Sequence, residues 1–232
     1  MPVFDRRIHI MGIGNVGRFV AYALRGIPDP PPITLIFYRR QTFNEWNEGP
    51  KQIRIKTRDV VEVRSGFDAE LAIPQRRSHG QEIMYEDNNI LYTSKTAPNS
   101  EAFQPATPQA LEGESNEPIH ALILCCKSTQ VLSALSAIQH RLTPHSVILF
   151  LQNGMGTVDE VNEQLFPDPA DRPFYMVGIN SHGVNSDPAD QFATTHAGHG
   201  TIALGLLPHA HDQTSTAYDP VPRFAPGAST PS

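Results

Sequence analysis

Three glycines spaced Gly12-x-Gly14-x-x-Gly17 follow directly on the apolar run Ile8-His9-Ile10-Met11 and open a stretch of helical character over residues 15–24. The arrangement dictates a strand, a tight turn and a helix start. Gly12 permits the turn, Gly14 lets the backbone approach a pyrophosphate with no Cβ in the way, and Gly17 lets the helix pack close to the strand. The helix start adds unpaired N–H groups and the positive end of a dipole. Gly12, Ile13, Gly14, Asn15, Val16 and Gly17 are therefore candidates for holding a dinucleotide. Glycines also recur in turns for backbone geometry alone. It is the strand before the turn and the helix after it that favour the dinucleotide reading.

The 232 residues suffice for one or two domains and a sizeable core. A net charge of -6 argues against a nucleic-acid or anionic-membrane partner, each of which wants a basic face. The longest apolar run, residues 121–126, is too short to cross a bilayer, and residues 1–7 lack the apolar centre of a signal peptide. A cytoplasmic protein with a small soluble ligand is expected. The two cysteines, Cys125 and Cys126, are adjacent on an expected strand. Their side chains then point to opposite faces, so two small core residues are expected rather than a bridge.

A second strand is expected over residues 33–38, ending in Arg39-Arg40. In a doubly wound sheet that end meets the adenosine ribose, where a carboxylate selects NAD and an arginine accepts the 2′-phosphate of NADP. No Asp or Glu lies between residues 34 and 43. NADP is therefore preferred, with a pair of solvated loop arginines as the alternative. Alternating runs at 53–55 and 60–63 suggest an edge or connecting strand pair. Residues 93–118, rich in Ser, Thr, Pro, Gln, Glu and Asn, read as a long surface loop or flexible insertion.

The run from Ile119 to Cys126 fits a parallel strand buried on both faces, with Lys127 at its carboxyl end. Ligands bind at that edge of an open α/β sheet. Lys127 faces either such a ligand or solvent. Ser128 is expected to cap a helix reaching His140. A further strand at 147–151 ends in Gln152-Asn153-Gly154-Met155-Gly156, before a helix over 157–166 and a strand over 174–179. Asn153 offers both a donor and an acceptor at the ligand edge, although Asn-Gly is also a common turn pair. The later histidines lack acidic or cysteine partners at metal spacing, so no metal site is read.

Gly12-Ile13-Gly14-Asn15-Val16-Gly17, Arg39, Lys127, Gln152-Asn153-Gly154-Met155-Gly156, Ser181-His182-Gly183 and the run from His196 to Gly205 together resemble the ketopantoate reductases. The resemblance covers residues 8–205. It implies NADPH as hydride donor and 2-dehydropantoate, or a related 2-keto acid, as acceptor. Lys127 and Asn153 would line the nicotinamide and substrate cleft, and Arg39 would contact the 2′-phosphate. It also implies an α/β, Rossmann-like, doubly wound and mostly parallel sheet with helices on both faces. Members of that family continue into a helical domain that supplies the general-acid lysine. Residues 206–232, with five prolines, show no helical period, and they are expected to be a disordered tail after a dinucleotide-binding domain of residues 1–205. The family's helical domain is thus expected to be absent. Two functions follow: a reductase, truncated or completed by another chain, or a catalytically silent NADP-binding sensor or interaction module. Surface left bare by the missing domain is expected to drive self-association or to recruit a partner chain.

Overall fold

The computed structural model of the chain describes residues 6–72, 113–152, 154 and 156–208, and the backbone of three short strands between residues 75 and 92. The elements run β1 (Ile8–Met11), α1 (Asn15–Arg25), β2 (Ile33–Phe37), α2 (Arg40–Glu48), β3 (Ile53–Thr57), β4 (Val60–Arg64), β5 (Asp68–Leu71), β6 (Gln75–Ser78), β7 (Gln81–Glu86), β8 (Asn89–Tyr92), β9 (Ala121–Leu124), α3 (Val131–Ile138), β10 (Val147–Leu151), α4 (Thr157–Gln164), β11 (Phe174–Asn180), β12 (Gly183–Ser186), β13 (Ala193–Gly198) and β14 (Ile202–Leu206).

Strands β1, β2 and β9 are short, apolar and largely buried, as strands covered on both faces must be. They lie side by side in a seven-stranded sheet of order β14-β11-β10-β9-β1-β2-β5. Every pair in it is parallel except β11 with β14. Strand order reverses between β1 and β9, so their carboxyl ends open the crevice where doubly wound sheets take ligands. Alternation along β1 sends Ile10 into a core with Val20 and Ala21 of α1 and Phe43 and Trp46 of α2. Met11 points the other way, into a core with Val131 and Leu135 of α3 and Val161 of α4. The expected Rossmann-like architecture is thereby realised.

Some expectations need correcting. Arg39 and Arg40 do not lie on a plain loop: Arg39 occupies the N-cap position of α2 and Arg40 is its first residue. Phe43 and Trp46, three apart and both buried, drive that helix. Ser128 does not cap a helix, because residues 128–130 form a 3₁₀ turn ahead of α3. The helix expected over 157–166 stops at Gln164. Runs 53–55 and 60–63 are indeed a hairpin, β3 with β4, but they belong to a separate sheet of order β12-β13-β3-β4. That sheet sends Ile53, Ile55 and Phe192 into the α1 and α2 core.

Leu206, assigned from sequence to the tail, is the last residue of β14, and the Leu207 N–H donates to the Tyr175 carbonyl at 3.0 Å. Described structure therefore continues past residue 205 to residue 208, and residues 209–232 lie outside the described part. Of the expected insertion, residues 93–112 also lie outside it. The remainder is anchored: the Gly113 carbonyl accepts from Leu71 N–H at 2.8 Å, and the buried Arg141 donates to the Glu117 carbonyl at 2.7 Å and to Glu70 at 2.9 Å. Among the described residues no helix is long and apolar enough to cross a membrane.

Candidate dinucleotide site

The turn between β1 and α1 is built as its sequence demands. Gly12 has φ +92°, and a Cβ there would lie 2.6 Å from the Cys126 backbone nitrogen. Only glycine meets both constraints. A Cβ on Gly17 would sit 2.2 Å from the Gly12 carbonyl oxygen, with the Cys125 side chain next beyond. The third glycine thus brings α1 down onto the turn and the end of β9. Gly14 differs, because a Cβ there would meet nothing within 4 Å. That open space beside its Cα is what a glycine kept for a ligand should show. The first turn of α1 carries no acidic residue, so nothing competes there with an incoming anion.

Beside Gly14 lies a cavity of about 170 Å³ lined by Ile13, Gly14, Phe37, Tyr38, Arg39 and Thr42. It spans the glycine turn and the β2–α2 junction. Arg39 is exposed at its wall, with its guanidinium 5.4 Å from the Tyr38 ring centre. Tyr38 also lines a smaller cavity of about 50 Å³ with Cys126, Gln130, Ser133 and Ala134. The cavity thus brings together open space over the Gly14 Cα, the Tyr38 ring and a permanently charged planar fork.

Lys127 is exposed three residues past the end of β9, and its carbonyl accepts from Gln130 N–H at 2.8 Å. The turn after β10 packs against it, since a Cβ on Gly154 would approach the Ser128 Cβ to 3.3 Å. The glycine turn, the Lys127 turn and the residues Gln152 and Gly154 after β10 therefore stand side by side along one sheet edge. Asn153 itself lies outside the described residues. Its neighbour Gln152 holds a buried side-chain oxygen without a partner among the described residues. Gly156, at φ +83°, supplies the left-handed residue that starts α4.

The cysteines do not bridge. Burial pushes both thiols up, Cys126 to about 11 and Cys125 further. They are packing residues at the base of the site. His182, His196 and His199 gather beside α1. His182 Nδ1 lies 3.1 Å from His196 Nε2 and accepts from Gly200 N–H at 3.1 Å, and both rings lie against Phe19. Burial and the neighbouring imidazoles hold His182 below the usual histidine range. Among the described residues no set of three metal-binding side chains converges.

Beside the candidates Gly14 and Arg39 the structure places Tyr38 and Thr42, and beside Tyr38 it places Gln130 and Ser133, none of which the sequence singled out. Phe43 and Trp46 at helical spacing were the available signal for α2, and α2 is what turns Thr42 into the cavity.

Comparison with known proteins agrees with this geometry. The family model for "Ketopantoate reductase PanE/ApbA" matches residues 8–209. A "Probable 2-dehydropantoate 2-reductase" of Schizosaccharomyces pombe is 27% identical over 205 residues, covering 88% of this chain and 48% of the relative. A "Ketoisovalerate reductase BEA2" of Gibberella intermedia is 23% identical over 215 residues, covering 91% and 48%. The chain thus spans about half the length of these curated relatives. Among solved structures, a probable 2-dehydropantoate 2-reductase from Bacillus subtilis superposes with a TM-score of 0.53 at 21% identity, covering 87% of this chain and 50% of that one. A D-mandelate dehydrogenase solved with NADH and anilino(oxo)acetate gives 0.57 at 15% identity, covering 90% and 50%. These likenesses bear out the fold, and with the match over residues 8–209 the chain belongs to the ketopantoate reductase family.

Proposed function

We propose that this chain carries the cofactor-binding half of an NADPH-dependent reductase that converts a 2-keto acid to the 2-hydroxy acid, with 2-dehydropantoate as the first substrate to test. The observation that carries the reading is the open space over the Gly14 Cα beside a cavity walled by Arg39, at the point where strand order reverses. Backbone N–H groups of the Gly12 to Gly17 turn hold the pyrophosphate, and Arg39 takes the 2′-phosphate through charge-assisted hydrogen bonds. When bound, the nicotinamide supplies the hydride. Lys127, exposed at the same edge, stabilises the negative charge that develops on the keto oxygen, and Asn153 orients the acceptor. No residue of this chain is assigned as the general acid. The names of the relatives include both 2-dehydropantoate and ketoisovalerate reductases, and the keto acid class is what the two share.

The test is a fluorescence titration of the full chain with NADPH and NADH, followed by turnover assays with 2-dehydropantoate and 2-ketoisovalerate. NADPH binding with clear preference over NADH is expected. Failure to bind either dinucleotide would overturn the reading. Binding without turnover of either acid would leave a dinucleotide-binding module and remove the reductase.

Self-association is part of the same proposal. Ile179, Leu204 and Leu206 are 68%, 54% and 69% exposed, and all three lie on β11 and β14 at one end of the main sheet. Strand β14 is the outermost strand of the main sheet among the described residues and carries no charged residue. Sedimentation is expected to give dimers or larger species, and a monomer that binds no apolar dye would count against it.

A further inference from the structure

Arg18, one residue beyond the third glycine, is 7% exposed. Its Nε donates to Thr194 Oγ1 at 2.8 Å, its Nη2 to Asn15 Oδ1 at 2.5 Å, and its Nη1 to the Ile13 carbonyl at 3.4 Å and to the Gln191 carbonyl. Two of these acceptors, Ile13 and Asn15, belong to the glycine turn. The other two belong to the β12–β13 hairpin and the loop within it. Asn15 is held from the hairpin side as well: its Oδ1 accepts from the Ser186 hydroxyl at 3.1 Å, and its Nδ2 donates to the Val184 carbonyl at 3.5 Å. The Asn15 amide is therefore committed to the hairpin.

Stability alone does not call for a charge in this place. Burial of a guanidinium costs desolvation that a methionine of similar length would avoid. What an arginine adds is direction, since its planar donors fix four acceptors relative to one another. Two of those acceptors are the residues that flank Gly14.

We propose that Arg18 is the positioning residue of the dinucleotide site, bracing the glycine turn against the β12–β13 hairpin so that the N–H groups around Gly14 keep the geometry the phosphates require. The inference rests on the dinucleotide reading above. Arg18 acts through Ile13 and Asn15 and touches no ligand itself. Because the pyrophosphate is common to both cofactors, its loss weakens NADPH and NADH alike.

The experiment compares the full chain with Arg18→Met, Thr194→Val and Ile55→Ala, titrating each with NADPH and NADH and recording Tm. Arg18→Met is expected to lose at least tenfold in affinity for both dinucleotides by the same factor. Thr194→Val, which removes one acceptor only, is expected to lose two- to fivefold and decides the matter if Arg18→Met does not fold. Ile55→Ala, a core truncation in the same small sheet, is expected to lower Tm while leaving affinity unchanged. Unchanged binding in folded Arg18→Met, or in Thr194→Val where Arg18→Met does not fold, overturns the proposal. So does an equal loss in Ile55→Ala, which would make the role of Arg18 merely structural. Failure of the unaltered chain to bind either dinucleotide would overturn the functional reading and this inference with it.

Discussion

Gly14→Ala is expected to leave the fold within about 1 kcal/mol of its original stability while weakening NADPH and NADH by at least about tenfold each. The backbone at Gly14 has φ −79°, which alanine adopts without strain, and the added Cβ meets no protein atom within 4 Å. The small stability cost is that of alanine as an N-cap. Any larger effect must come from a ligand occupying the space. Gly17→Ala should behave in the opposite way. Alanine gains about 1 kcal/mol over glycine within a helix, but its Cβ would fall 2.2 Å from the Gly12 carbonyl oxygen. Relieving that overlap means moving α1 or the turn, at a cost of about 3 kcal/mol. The overlap wins, and a net loss of about 2 kcal/mol corresponds to a fall of roughly 4–8 °C in Tm for a chain of this size. Calorimetry and titration of both variants separate the cases. Undiminished binding in Gly14→Ala would remove the phosphates from this turn.

That contrast between two glycines of one motif also marks how far the sequence carries. Residue spacing announced the strand, turn and helix because Gly12 answers a demand of the backbone and Gly17 a demand of close helix packing, while Gly14 answers neither. Strands β1, β2, β9 and β10 were equally legible, since a strand buried on both faces is predominantly apolar. Helix α2 was harder to see. Its apolar face is only Phe43 and Trp46 within Arg40–Glu48, and most of its stability comes from packing on Phe37 and Phe192 from distant elements. The role of Arg18 was beyond reach for a related reason. Thr194 lies 176 residues away, and no local pattern announces that the β12–β13 hairpin returns to clasp the first helix. Leu206 looked like tail because its pairing partner, Met176, is known only from the register.

Arg39→Ala is expected to weaken NADPH by about 10- to 100-fold and to leave NADH within about twofold, erasing most of the preference between them. Charge-assisted bonds to a phosphate are worth about 1.5–3 kcal/mol, and NADH has no 2′-phosphate to lose them. Arg40→Ala should change either affinity by less than about threefold. The two arginines are adjacent in sequence but not equivalent in place. Arg39 is exposed at the wall of the cavity beside Thr42, whereas Arg40 is half-buried as the first residue of α2 and already engaged with protein. Arg39→Lys should fall between the extremes, because an ammonium keeps the charge and loses the paired donors. Raising salt should weaken NADPH more than NADH in the unaltered chain, and equally in Arg39→Ala. A silent Arg39→Ala together with a collapsed preference in Arg40→Ala would reverse the assignment. If both were silent, the cavity beside Gly14 would lose its claim to the 2′-phosphate.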